Sequence, residues 1–449
     1  MKFQFRHAAT AWLGVAVTSM AFMGVFAFMI VLSRAPGFNL LFTEQDFFRT
    51  ALVTHVVLSV VIWFQSYILF LIYYVTVDKP AGGVHNVFAL GALAGVALII
   101  ATPFTGPAFP MLNNYVPVLN RPLYLAGLGV FFGFAALGVL ARVPSLLKSL
   151  GARGGSPVVI GGSLAGAGAS LVVGVSLMVF AFAKLSGSGA ADITPTVYFE
   201  LLFWGGGHVL QFANTLGMMT VWALLARRIT GEDALIGDKT ALGVFVFMMI
   251  FVMIAPFDYL IEPIESMTSR QFFTTLKGWG VALGPIALGL AVVNKRRLMT
   301  GDDLARRGLL FSMALFAMGG LIALTIQGSD TRIPAHYHGT IGGVTICYMT
   351  LAMLAMRDNG WFSAGPEWIK RQVTAYGVGQ ALFVTGMFIG GLLGLARKTY
   401  GQAQVLDTFE KIFSMGLMGV GGFLAIVAGG IFVVLMLMSL FRGERPPAA

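Results

Sequence analysis

Two of the chain's six histidines, His336 and His338, stand two residues apart in Arg332-Ile333-Pro334-Ala335-His336-Tyr337-His338-Gly339, at the start of an apolar run. Residues i and i+2 of an α-helix point about 200° apart, so the two imidazoles can serve two sites on opposite faces of one helix. His55 and His208 lie inside apolar runs of their own, the latter in Trp204-Gly-Gly-Gly-His208. His7 and His85 fall near the predicted ends of spans and are read as interfacial side chains with no ligand role. Acidic residues with possible proton-handling or ligand roles are Glu200, Asp258, Glu262 and Glu265. Imidazole binds transition metals and iron in haem, and polar groups placed in a membrane are costly enough that they usually mark function.

Composition places these residues in a bilayer. Of 449 residues 57% are hydrophobic and only 11% charged, and the mean hydropathy is +0.84. That balance excludes a soluble domain of this length. Runs long enough to cross a hydrocarbon layer of about 30 Å occur near 8–32, 46–77, 84–107, 122–147, 158–184, 196–226, 240–261, 272–294, 308–327, 334–356, 371–396 and 411–441. The prediction is an all-α polytopic membrane protein of about twelve helices. The gaps, such as Arg153-Gly-Gly-Ser-Pro157, Gly231-Glu-Asp233 and Thr300-Gly-Asp-Asp303, are too short for an inserted soluble domain, so residues 1–449 read as one transmembrane domain. The first run is too long for the core of a signal peptide and reads as a retained helix. The 57 glycines suit close helix packing in lipid.

Most of the 29 Lys and Arg fall on one side if the N-terminus is cytoplasmic. They are Lys2, Arg6, Lys79, Arg142, Lys148, Arg153, Arg227, Arg228, Lys239, Lys295, Arg296, Arg297, Arg306, Arg307, Arg357, Lys370, Arg371, Arg442 and Arg445. Both termini are then cytoplasmic, and the net charge of +10 needs no nucleic acid to explain it. The single cysteine, Cys347, excludes an internal disulfide or thiolate cluster and reads as a small buried apolar residue. In this topology His55, His208, His336 and His338 all fall in the outer half. Four imidazoles at one depth on three helices, with one cysteine and few buried carboxylates, point to haem.

Twelve helices, a histidine in the second, Trp204-Gly-Gly-Gly-His208 in the sixth and His336-Tyr-His338 in the tenth resemble the catalytic subunit of the haem-copper oxidase superfamily. The likeness covers essentially the whole chain and includes the outer loop Asn113-Asn-Tyr-Val-Pro-Val-Leu-Asn-Arg-Pro-Leu-Tyr124. In character it is nearest to nitric oxide reductases and C-type cytochrome c oxidases. The resemblance implies a subunit I-like bundle with two haems, expected to be of b type. His55 and His338 would be the axial ligands of a low-spin haem and His336 the proximal ligand of a high-spin one. Arg332, beside Asp330, would either hold a haem propionate or form a loop ion pair.

The likeness breaks at the distal metal. His208 corresponds to the family's first distal ligand, but aligning Pro256 places Phe257 and Asp258 where the family has an adjacent histidine pair. One histidine with carboxylates suits iron(II) better than copper, so His208 and Asp258 become a candidate non-haem iron site, with copper as the alternative. The other reading pairs Asp258 with an arginine and leaves no distal metal. Phe212 stands where the A-type pattern has its redox tyrosine, which disfavours four-electron reduction of dioxygen. Residues 241–254 carry no hydroxyl or ionisable group, so protons would come from outside through Glu200, Asp258, Glu262 and Glu265.

The expected function is a respiratory haem reductase in a bacterial inner membrane, with haem sites toward the outer side, converting nitric oxide to nitrous oxide. A dioxygen reductase with an altered distal site and a di-haem electron-transfer subunit are the alternatives. No haem c attachment motif is present, so electrons would come from a cytochrome c-type subunit or a quinol, and the substrate would be a small gas.

Overall fold

The computed structural model describes residues 7–38, 45–76, 83–150, 155–187, 193–231, 236–361 and 366–442. Of the basic residues used for orientation, Lys2, Arg6, Lys79, Arg153 and Arg445 lie outside them, as do Glu232 and Asp233.

Among the described residues twelve helices are long and apolar enough to cross a membrane: α1 Ala8–Arg34, α2 Asp46–Val75, α3 Val84–Phe104, α4 Pro122–Leu140, α5 Val158–Gly187, α6 Pro195–Thr230, α7 Asp238–Ile261, α8 Met267–Asn294, α9 Asp303–Ala323, α10 Arg332–Asp358, α11 Glu367–Leu392 and α12 Phe409–Phe441. The chain is a multi-pass, all-α membrane protein. The most enclosed spans are α6, α2 and α10, with 94%, 89% and 89% of their apolar windows buried. These three carry His208, His55 and the His336/His338 pair, so the histidines sit on the helices most shielded from lipid. The fourth expected span is shorter than its apolar run. It stops at Leu140, and an amphipathic helix, Val143–Leu150, continues after a turn.

Two compact units divide the chain, one built on Met20–His55 and Asp302–Ala449, the other on Phe3–Ser19 and Val56–Gly301. In the first, α9 and α10 approach through glycine. A Cβ on Gly319 would meet the His336 carbonyl at 2.6 Å, and one on Gly339 would meet the Gly319 Cα at 2.7 Å. Close backbones of this kind are how helices associate in lipid, where burying apolar surface gains little. Val31, Ile322, Ala335, Phe383, Val384, Met387, Leu395, Met415 and Met418 form an apolar cluster between its helices.

In the second unit, α3 and α4 cross at Gly95 and Gly127, and α5 and α6 at Gly174 and Gly206. Buried polar pairs fix the register: Gln65 donates to Asn214 at 2.7 Å, and the Ser163 and Thr220 hydroxyls lie 2.8 Å apart. Between α3 and α4 an antiparallel hairpin pairs β1 (Pro110–Met111) with β2 (Val118–Leu119). Its tip carries Asn113, Asn114 and Tyr115. The α2 helix changes to a π segment, Val57–Ile62, two residues after His55. The Ser19 hydroxyl donates to the Leu58 carbonyl there at 2.6 Å, a second bond to an acceptor that already receives the Trp63 N–H.

Candidate haem site and the His208 site

In the first unit, His55 Nδ1 faces the Met23 carbonyl at 3.2 Å. A carbonyl only accepts, so Nδ1 carries the proton and Nε2 keeps its lone pair, the tautomer of a haem-ligating histidine. His338, in the second turn of α10, lies close enough to His55 for the two to interact electrostatically. Its ring stands edge-on to Phe383, with centroids 4.7 Å apart, and among the described residues its nitrogens have no hydrogen-bond partner. His336, two residues earlier, turns toward α9 instead, with Nδ1 2.8 Å from the Gly319 carbonyl. The pair thus diverges, one ring to α9 and the other to α11, as the helical angle requires.

A second feature bears on a haem. Arg34 is buried, its Nε has no partner among the described residues, and it interacts electrostatically with both His338 and Tyr337. A buried guanidinium calls for an anion, and a haem propionate is one. Two imidazoles with uncommitted nitrogens beside such a cation form a donor set that fits a bis-histidine haem. Arg332 is engaged elsewhere. It forks onto Asp330, with Nη2 to Oδ2 at 2.7 Å and Nε to Oδ1 at 3.0 Å, and its Nη1 donates to the Thr325 carbonyl. That ion pair holds the Asp330 carboxyl below its ordinary pKa.

In the second unit the three glycines before His208 each admit a different neighbour. A Cβ on Gly205 would strike the Tyr259 hydroxyl, one on Gly206 would strike Met178, and one on Gly207 would lie 2.5 Å from the Tyr115 Cβ. Tyr115 reaches this place from the hairpin tip with φ of 56°, a left-handed conformation uncommon for an aromatic residue. Two clamps hold it there. The Asn113 amide donates to the Val116 and Phe199 carbonyls, and Asn114 donates through its backbone N–H (2.8 Å) and its side chain (2.7 Å) to the Glu200 carboxylate. Burial, with Glu200 nearby, raises the Tyr115 phenol above its ordinary pKa.

Both nitrogens of His208 are occupied. Nδ1 donates to the Trp204 carbonyl at 2.7 Å, and Nε2 lies 2.8 Å from the Tyr115 hydroxyl. Trp204, Tyr115 and Phe273 surround the ring, with centroids 4.7, 4.2 and 6.1 Å away. Lys277 of α8 sets its ammonium 5.8 Å from the Tyr115 ring centroid and interacts electrostatically with His208.

The expected partnership of His208 with Asp258 is not among these contacts. Asp258 accepts from the Ser269 hydroxyl at 2.5 Å and has Glu262 as its acidic neighbour. Glu262 follows the last residue of α7, 3.5 Å from the Ser266 hydroxyl, and Glu265 is exposed in the following turn. Among the described residues no three His, Cys, Asp or Glu side chains converge as metal ligands. One imidazole, a phenol and an ammonium are a poor donor set for copper or non-haem iron. Phe212 is fully buried, and Tyr259 accepts a hydrogen bond from the Gly205 N–H. Cys347 is buried, and His85 pairs with the Tyr73 hydroxyl at 3.0 Å.

Sequence reading missed Tyr115, Lys277 and Arg34 as site residues. Lys277 carried a signal, a cation well inside an apolar run. Arg34 closes α1 and Tyr115 lies in the quoted loop, but neither has a spacing that marks it.

No family model matches the chain. An uncharacterized protein of Rickettsia prowazekii (strain Madrid E) is 26% identical over 96% of both chains. An uncharacterized protein of Aquifex aeolicus (strain VF5) is 27% identical over 78% of this chain and 85% of its own. Among solved structures, a heme-copper terminal oxidase dimer determined by cryo-electron microscopy aligns with 98% of this chain and 86% of its own at a TM-score of 0.74 and 16% identity. The fold is therefore that of a haem-copper terminal oxidase, carried by a divergent sequence.

Proposed function

We propose that this protein is a haem-bearing electron-transfer subunit of respiratory-oxidase type in a bacterial inner membrane, with both termini cytoplasmic and its histidines toward the outer side. His55 and His338 hold one haem and His336 a second. Bound haem supplies one-electron transfer. The protein's own part is to fix the His55 tautomer through the Met23 carbonyl, to turn His336 and His338 apart, and to offer Arg34 to a propionate. The observation that carries the reading is the His55–His338 pair with its uncommitted nitrogens. Electrons would arrive from a cytochrome c-type partner or a quinol.

Reduction of nitric oxide at a haem and non-haem iron pair, and reduction of dioxygen, both ask for a metal on His208. The commitment of His208 to Trp204 and Tyr115, and of Asp258 to Ser269, weighs against both and favours electron transfer. Proteoliposomes carrying the haem-loaded protein test this. The expected result is passage of electrons from a quinol to cytochrome c with no consumption of nitric oxide or dioxygen. Gas consumption abolished by His336→Ala would replace the proposal with the reductase reading.

A further inference from the structure

We infer that the His208 site takes no metal ion and holds its positive charge as the ammonium of Lys277. The inference underlies the choice of electron transfer over gas reduction but is separate from the haem assignment, so metal content tests the one and haem content the other.

Asn113 and Asn114 tie the hairpin tip to the first turns of α6, through the Phe199 carbonyl and the Glu200 carboxylate. Tyr115 is thereby held at φ of 56° over Gly207, where its hydroxyl reaches His208 Nε2 at 2.8 Å. A metal ion on Nε2 would have to displace a hydroxyl that the backbone itself presents. The other ring nitrogen cannot substitute, because its proton is directed at the Trp204 carbonyl.

Charge points the same way. The half-buried Lys277 has no carboxylate or hydrogen-bond partner among the described residues and rests against the face of the Tyr115 ring. Where solvent is scarce, a divalent cation beside an ammonium meets strong repulsion. The carboxylate that could offset it, Asp258, is turned to Ser269. The resemblance makes His208 the family's distal histidine. Around that histidine this chain sets a tyrosine hydroxyl and a lysine ammonium.

Metal analysis on the haem-loaded protein decides the matter. Once haem iron is subtracted, wild type is expected to hold no stoichiometric copper, iron or zinc, and to stay so after incubation with cobalt(II) and dialysis. Lys277→Glu replaces the repelling charge with a carboxylate beside the imidazole. It is expected to take up about one cobalt(II) per chain, visible in its d–d absorption and lost again in Lys277→Glu/His208→Ala. About one non-haem metal per wild-type chain, removed by His208→Ala, would overturn the inference. So would a Lys277→Glu protein that keeps its haems yet still takes no cobalt, since Lys277 would then not be what excludes the ion.

Discussion

Replacing Gly207 by alanine tests how closely the hairpin tip is seated on α6. The added Cβ would lie 2.5 Å from the Tyr115 Cβ and 2.9 Å from its Cγ. Carbon atoms in contact prefer about 3.5–4.0 Å, so roughly 1 Å must be found. Neither atom is the far end of a flexible side chain, and the Asn113 and Asn114 clamps resist retreat of the loop. Overpacking of this kind costs about 1–3 kcal/mol. Loss of the Tyr115–His208 hydrogen bond adds about 0.5–1.5 kcal/mol, for a total of about 1.5–4.5 kcal/mol. Tyr115→Gly removes the atoms that clash and suits the left-handed backbone, so Gly207→Ala should cost under about 1 kcal/mol in that background. Reversible unfolding in mixed detergent micelles, run as a double-mutant cycle, reads the coupling. Equal costs of Gly207→Ala with Tyr or Gly at position 115 would refute the seating described here.

Four further outcomes follow from other sites. Gly421→Ala would drive a Cβ into the Phe383 N–H and the Gly379 carbonyl, both backbone, and should destabilise by about 1–3 kcal/mol. Gly429→Ala, with nothing within 4 Å, should be neutral in the same unfolding assay. The Asp330 carboxyl is held low by Arg332, so its contribution is full above the unfolded value of about 3.9. That contribution is lost as pH falls through the lower folded value. Asp330→Asn should therefore flatten the acid limb below about pH 4 in a stability-versus-pH series and leave the neutral region parallel to wild type. Arg34→Met should weaken retention of the low-spin haem or lower its midpoint potential in a spectroelectrochemical titration, by more than Arg332→Met does, because Arg332 already has Asp330.

The twelve spans were legible because length and apolarity alone decide which segments can cross a membrane. The end of α4 was not. The run 122–147 is apolar throughout, and the turn after Leu140 coincides with Arg142 donating to the Thr76 hydroxyl on another helix. The divergence of His336 and His338 was legible because the helical angle fixes it locally. The partner of Asp258 was not, because Ser269, whose hydroxyl donates to it, lies across a turn on the next helix. Tyr115 escaped for a related reason. Its place depends on a left-handed hairpin tip and on a glycine in α6, about ninety residues away, neither of which has local periodicity. The three glycines before His208 were visible as a motif, but their separate uses appear only when each missing Cβ is placed.

That His55 and His338 together hold a low-spin haem is the proposal on which the electron-transfer reading rests. It is tested most directly by haem quantitation and electron paramagnetic resonance on oxidised wild type, His55→Ala and His338→Ala. Two haems per chain are expected in wild type, with loss of the same low-spin signal in both variants and the second haem retained. A wild-type protein without haem, or a low-spin signal that survives either substitution, would contradict it.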